Sequence, residues 1–113
     1  MNKEIKEAIH IVKENLLSKI DVDSYHKLRH CPYGACEAWQ AGSITYLKSY
    51  NTLVAFYAED TCQFYINGLH SMTTRKHINH FLREYTGITS FVPYKPYIGK
   101  SLINCITNVV EDI

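Results

Sequence analysis

From Ser43 to Ile66 the chain reads as sheet, and this block limits the fold more than any other feature. Ser43–Lys48 alternates, with Ile44 and Tyr46 on one face and Thr45 and Leu47 on the other. Asn51–Tyr57 is rich in β-branched and aromatic residues, Glu59-Asp60 turns the chain, and Thr61–Ile66 alternates again. In that last run Cys62, Phe64 and Ile66 share one side, while Gln63 and Tyr65 share the other. Asn67-Gly68 is a tight-turn signal, because both residues tolerate positive φ, and Leu69–Met72 is a candidate short return strand. Three or four such antiparallel strands need an apolar cover on at least one face.

Helical segments supply that cover. From Asn2 to about Ile20, residues Ile5, Ile9, Val12, Leu16 and Ile20 recur at steps of three and four, with charged residues between them. Asp23 or Ser24 then offers a cap for a short second helix through Tyr25–Arg29. Thr73 or Thr74 caps a helix from Arg75 to about Tyr85, with Ile78, Phe81, Leu82 and Tyr85 as its buried stripe and Gly87 as a left-handed stop. Leu102, Ile106, Val109 and Val110 fall at helical steps within Lys100–Asp112, which reads as a C-terminal helix with a strand as the alternative. The expectation is an α+β fold: a small antiparallel sheet of three to four strands packed with an N-terminal helix, a helix after the hairpin and a C-terminal helix. One domain spans 1–113, with a helix plus His/Cys segment over 1–42, a ββα core over 43–87 and a tail over 88–113.

Composition fits one such domain. The 113 residues are 46% hydrophobic and carry a formal net charge of +1, which argues against both a strongly basic nucleic-acid binder and an acidic imitation of DNA. No apolar run approaches the roughly 18 residues of a membrane span, and the charged start is unlike a signal peptide. A soluble, cytoplasmic protein is expected, and in a reducing compartment its four cysteines are expected to be buried hydrophobes, catalytic thiols or metal ligands and not a disulfide framework.

The densest chemistry lies in His26–Cys36. Histidines four apart on a helix face one side, and Cys31 and Cys36, separated by four residues around Pro32 and Gly34, can turn both sulfurs to one centre. His26, His30, Cys31 and Cys36 would then form a closed tetrahedral site for structural Zn2+, a staple and not a catalyst. The competing reading is an ordinary free-thiol loop with exposed histidines. Cys62 and His70 are reserve metal ligands, and Cys105 reads as core.

No phosphate loop, nucleophile elbow or His-Glu-x-x-His occurs, so a non-enzymatic protein is expected. Arg75 and Lys76 stand in the first turn of their helix, where the dipole disfavours cations, and His77, His80 and Arg83 continue that polar face. An anionic partner would offset this local cost. A solvated face is the plainer reading, and His77 alone reads as a satisfied, semi-buried histidine. Tyr94 and Tyr97, with Lys95 and Lys100, form a short aromatic-plus-basic strip. Arg75, Lys76, Arg83, Tyr94 and Tyr97 are the candidate partner-binding residues.

Two stretches, Leu47–Ala55 and Tyr65–Tyr85, resemble a family of short, uncharacterised phage and prophage proteins. That family runs S-Y-x-T-x-V-A, a hairpin, then S-x-T-T-x-[KR]-H-I-x-x-F. The whole chain is similar to anti-CRISPR inhibitors of the type II effector Cas9. The resemblance implies binding to the recognition lobe of Cas9 and a block on target-DNA loading. A small phage accessory protein that binds nucleic acid is the alternative, and a metal-dependent hydrolase is disfavoured because four protein ligands leave no place for water.

Overall fold

The computed structural model describes residues 2–27, 36–67, 72–86, 100–104 and 110–112. Asn2 opens helix α1 (Lys3–Lys13), its Oδ1 accepting from the Ile5 amide at 2.7 Å. The helix stops well before Ile20. Asn15 takes φ +53, the Leu16 amide donates to the Ile11 carbonyl and the Asn15 amide to that of Val12. This is a Schellman stop, with asparagine in the place glycine usually holds. A single 3-10 turn, Leu17–Lys19, then brings Ile20 back to the core.

Among the described residues, seven strands form one antiparallel sheet in sequential order: β1 (Ser24–Lys27), β2 (Cys36–Ala41), β3 (Ile44–Ser49), β4 (Thr52–Ala58), β5 (Gln63–Asn67), β6 (Lys100–Asn104) and β7 (Val110–Asp112). Helix α2 (Met72–Thr86) lies between β5 and β6 in the chain. The α+β expectation holds, with more strands than the three or four foreseen.

Three local expectations are corrected. The short helix through Tyr25–Arg29 is instead strand β1 over its described part, where Tyr25 pairs across from Trp39 with ring centroids 5.6 Å apart. Such a cross-strand aromatic pair outweighs a marginal cap. Over the described residues of the tail the strand alternative holds in place of the C-terminal helix: β6 and β7 are strands, and Leu102 and Ile103 point to opposite faces of the sheet. Cys62 sits in the β4–β5 turn at φ +53, not on a strand. The proposed return strand lies outside the described residues up to Met72, which begins α2.

The strand alternation sorts the core onto two faces. Ile5, Ala8, Ile9, Ile11 and Val12 of α1 pack on Ile44, Tyr46, Leu53, Phe56 and Tyr65. Ile78, Phe81 and Leu82 of α2 pack on Leu47, Val54, Ala55, Phe64 and Ile66. Both faces are covered, so β3, β4 and β5 are buried almost throughout, unlike a one-sided antiparallel sheet. A register shift beside Lys48, with Leu47 opposite Ala55 and Lys48 opposite Leu53, lets the consecutive Val54 and Ala55 serve the same cluster. No helix among the described residues is long and apolar enough to cross a membrane.

Candidate functional site

The alternation that turns Thr45 and Leu47 toward α2 also turns Ser49 that way, at the far end of β3. On α2 the helical period puts Thr74, His77, Ile78 and Phe81 on the sheet-facing side, all of them buried. The result is a polar knot inside the apolar layer: Ser49 Oγ lies 2.7 Å from His77 Nδ1 and 3.2 Å from Thr74 Oγ1. The next residue, Tyr50, rests its ring against the His77 imidazole, centroids 5.7 Å apart at 45°. Ser49, Tyr50, Thr74 and His77 come from the two sequence stretches that carry the resemblance described above, and the fold brings them together.

A serine hydroxyl against an imidazole is the pairing of a base-activated nucleophile. Access decides otherwise here. Ser49 is 2% exposed and His77 is fully buried, and Oγ is engaged by two partners, so the pair is closed to a substrate in this arrangement. What the trio does is fasten α2 to the β3–β4 hairpin. Each such hydrogen bond is worth about 0.5–1.5 kcal/mol net, and breaking one inside the core leaves a polar group whose desolvation costs about 1–3 kcal/mol.

Tyr50 is unusual for its backbone. Ser49 pairs with Thr52, so Tyr50 and Asn51 form a two-residue hairpin loop with φ +56 at Tyr50. A bulky side chain in that region is a rare outlier, costing roughly 1–2 kcal/mol. The ring is 51% exposed, so burial offsets only part of the cost. Asn51, the residue that tolerates this conformation well, occupies the other loop position.

A second cluster lies on the α1 side of β1–β3. Tyr25, 62% exposed, meets the half-buried Trp39 edge-on, and Lys48 Nζ sits 5.5 Å from the Trp39 ring centre while pairing with Glu37 at 3.3 Å. The Trp39 Nε1 is buried and has no hydrogen-bond partner among the described residues. The remaining perturbed groups are structural. Burial pushes Tyr46, Tyr65 and Tyr85 up to about 12, aided at Tyr46 by Glu7 and Glu4 and at Tyr85 by Glu84.

Of the expected zinc ligands, His26 has its backbone in β1, so the helical argument that brought it beside His30 lapses. Cys36 is fully buried at the start of β2 and is disulfide-bonded, against the expectation of free thiols. A sulfur in a disulfide is not a zinc thiolate, so a metal site using Cys36 belongs to a reduced chain. His30, Cys31, His70 and Cys105 lie outside the described residues. Cys62 is a free thiol, its Sγ near the Glu59 carbonyl at 3.7 Å. Among the described residues no three His, Cys, Asp or Glu side chains converge.

Of the expected partner-binding residues, Lys76 and Arg83 are exposed on α2 and Arg75 is half-buried; Tyr94 and Tyr97 lie outside the described residues. His77 is more deeply buried than expected and is hydrogen-bonded, as a core histidine should be. Ser49 and Tyr50 were not foreseen as members of a site. Their signal was present only as a motif, because nothing local to β3 shows which helix residue will meet it.

No curated protein and no solved structure matches the chain. A family model does match, over residues 13–95, a span that includes both stretches joined by the Ser49–His77 contact. The chain belongs to that family, DUF8033, a family of unknown function.

Proposed function

We propose that the protein is a non-enzymatic binding protein of phage origin that inhibits a bacterial nuclease-based defence, with Cas9 as its target. It docks on the recognition lobe and keeps target DNA from loading. The observation that carries the binding reading is a contrast of exposure. The Ser49–His77 pair is sealed, whereas Tyr25 and Tyr50 are the large hydrophobic residues left exposed among the described residues. Tyrosine is one of the side chains that dominate binding hot spots. The choice of Cas9 rests on the resemblance of the whole chain to anti-CRISPR inhibitors. A structural zinc held by His26, His30, Cys31 and Cys36 is part of the proposal only for the reduced chain. Metal analysis of reduced against oxidised protein tests it, with about one zinc per chain expected in the former.

A second reading, a nucleic-acid-binding accessory protein, is favoured by one feature. Lys76 and Arg83 are exposed on α2, and no carboxylate stands in its first turn. A gel-shift titration separates the two. The first reading expects a Cas9–guide complex to lose target-DNA binding as the protein is added, with no affinity of the protein for DNA alone. Cas9 that still loads and cuts at saturating protein sinks it, and DNA binding that weakens steeply with salt establishes the second.

A further inference from the structure

Three non-glycine residues among those described have positive φ: Asn15, Tyr50 and Cys62. The first has a complete local account. Besides ending α1, Asn15 accepts from the Leu53 amide at 2.8 Å and donates to the Asn51 carbonyl at 3.3 Å, so its side chain ties the helix end to the β3–β4 hairpin. Asparagine also enters the left-handed region readily. Cys62 closes a four-residue turn, its amide donating to Glu59. Tyr50 has no such account. It is an aromatic residue in a conformation suited to glycine or asparagine, half exposed, with an asparagine standing one position too late to relieve it.

We propose that Tyr50 is the anchor of the protein's interaction surface, held out at the hairpin tip to enter a pocket on a partner protein of acidic character. Its mount is stiff. Ser49, one residue before it, is fixed to His77 and Thr74, Tyr50 itself leans on the His77 ring, and Asn15 holds the carbonyl of Asn51. A pre-ordered aromatic anchor loses little freedom on binding. At the end of the helix it leans on, Lys76, next to His77, is exposed and the first turn has no carboxylate, which sets the sign of the partner surface there; farther along, the exposed Arg83 is offset by the exposed Glu84. Among the described residues the other exposed ring, Tyr25, packs on Trp39 on the α1 side of the sheet, whereas Tyr50 leans on α2, so the two form no continuous stacking track; in a chain of net charge +1 that suits a protein pocket better than a nucleic-acid track, which stacks successive bases on several rings.

This inference rests on the binding reading above, and its test separates the two. Tyr50→Gly and Tyr50→Asn are made in the full chain. Thermal midpoints are measured for each, together with inhibition of target loading by a purified Cas9–guide complex and binding to single-stranded DNA. The expected result is a midpoint held or raised, by up to about 4–8 °C, with inhibition weakened about 30-fold or more. A clear fall in midpoint for both variants overturns the proposal whatever Cas9 does, since the ring would then be a structural part. Undiminished inhibition by the variants also overturns it. A wild-type chain that leaves Cas9 loading untouched removes the Cas9 reading alone, and the midpoints then decide the proposal. Single-stranded DNA binding that wild type has and both variants lose reassigns Tyr50 to base stacking and overturns the protein partner.

Discussion

Two hairpins flank β3, and they are built to the same plan with different residues. The β2–β3 loop is Gly42-Ser43 and the β3–β4 loop is Tyr50-Asn51; each has two residues, with positive φ at the first, +62 and +56. That is the φ pattern of a II′ turn, which asks for glycine at the first position. Gly42 meets the demand directly, and a Cβ there would find nothing within 4 Å. Its neighbourhood is exposed and lightly held: the Gly42 amide donates to Asp23 Oδ2 at 2.7 Å and Ser43 Oγ to Glu4 Oε1 at 2.7 Å. The Tyr50 turn violates the demand and is instead clamped from below by Ser49, Thr74 and His77. One turn satisfies its backbone locally. The other relies on tertiary contacts and gains an exposed ring.

The largest expected effect is on the body both turns share. Tyr46 and Tyr65 are buried and Tyr85 half-buried, with pKa values pushed up from 10 to about 12, chiefly by burial. Their protonated forms are favoured by folding, so the unfolded chain holds fewer protons between those values. Their contribution is whole below pH 10 and lost as pH rises toward 12. Each tenfold change in proton affinity corresponds to at most about 1.4 kcal/mol, and to less where the hydroxyl keeps contact with solvent. Denaturant midpoints measured from pH 8 to 11.5 should be flat at first and fall steeply past 10. This loss strikes both hairpins alike.

Removing the clamp separates them. His77→Ala empties a fully buried ring position and leaves Ser49 short of a partner, for an expected loss of about 2–4 kcal/mol. Ser49→Ala should cost about 1–3 kcal/mol. Amide exchange should then quicken in α2 and at Tyr50-Asn51 before it quickens at Gly42-Ser43. At the lighter turn, Asp23→Ala removes one exposed acceptor and should cost no more than about 1 kcal/mol in the same assay.

Much of this was legible in the sequence, and the failures have physical causes. The faces of β3 and β5 and the buried stripe of α2 followed from periodicity, since Ile44 and Tyr46, Phe64 and Ile66, and Ile78, Phe81 and Leu82 lie where their spacing put them. β1 reads as a helix, and for β6 the strand is only the second reading, because Ser24–Lys27 and Lys100–Asn104 owe their state to a neighbouring strand, and pairing is not visible in a short segment. The end of α1 at Asn15 had a signal, an asparagine, that an unbroken stripe of apolar residues outweighed. The site was half visible. His77 reads as a satisfied, semi-buried histidine but is fully buried, and Ser49 lies 28 positions away, joined to it only by the packing of α2 on the sheet. The Tyr50 strain is invisible without a structure, since Tyr-Asn is not a signature of any turn with positive φ at its first residue.

The decisive comparison is a paired denaturation of Tyr50→Gly and Gly42→Ala against the wild-type chain. Opposite signs are expected: Tyr50→Gly holds or gains stability as the backbone relaxes, and Gly42→Ala loses about 1 kcal/mol to backbone strain alone, there being open space for its methyl group. If both variants lose stability to a similar degree, Tyr50 is simply a member of the core, and the claim that it is held out for a partner is wrong.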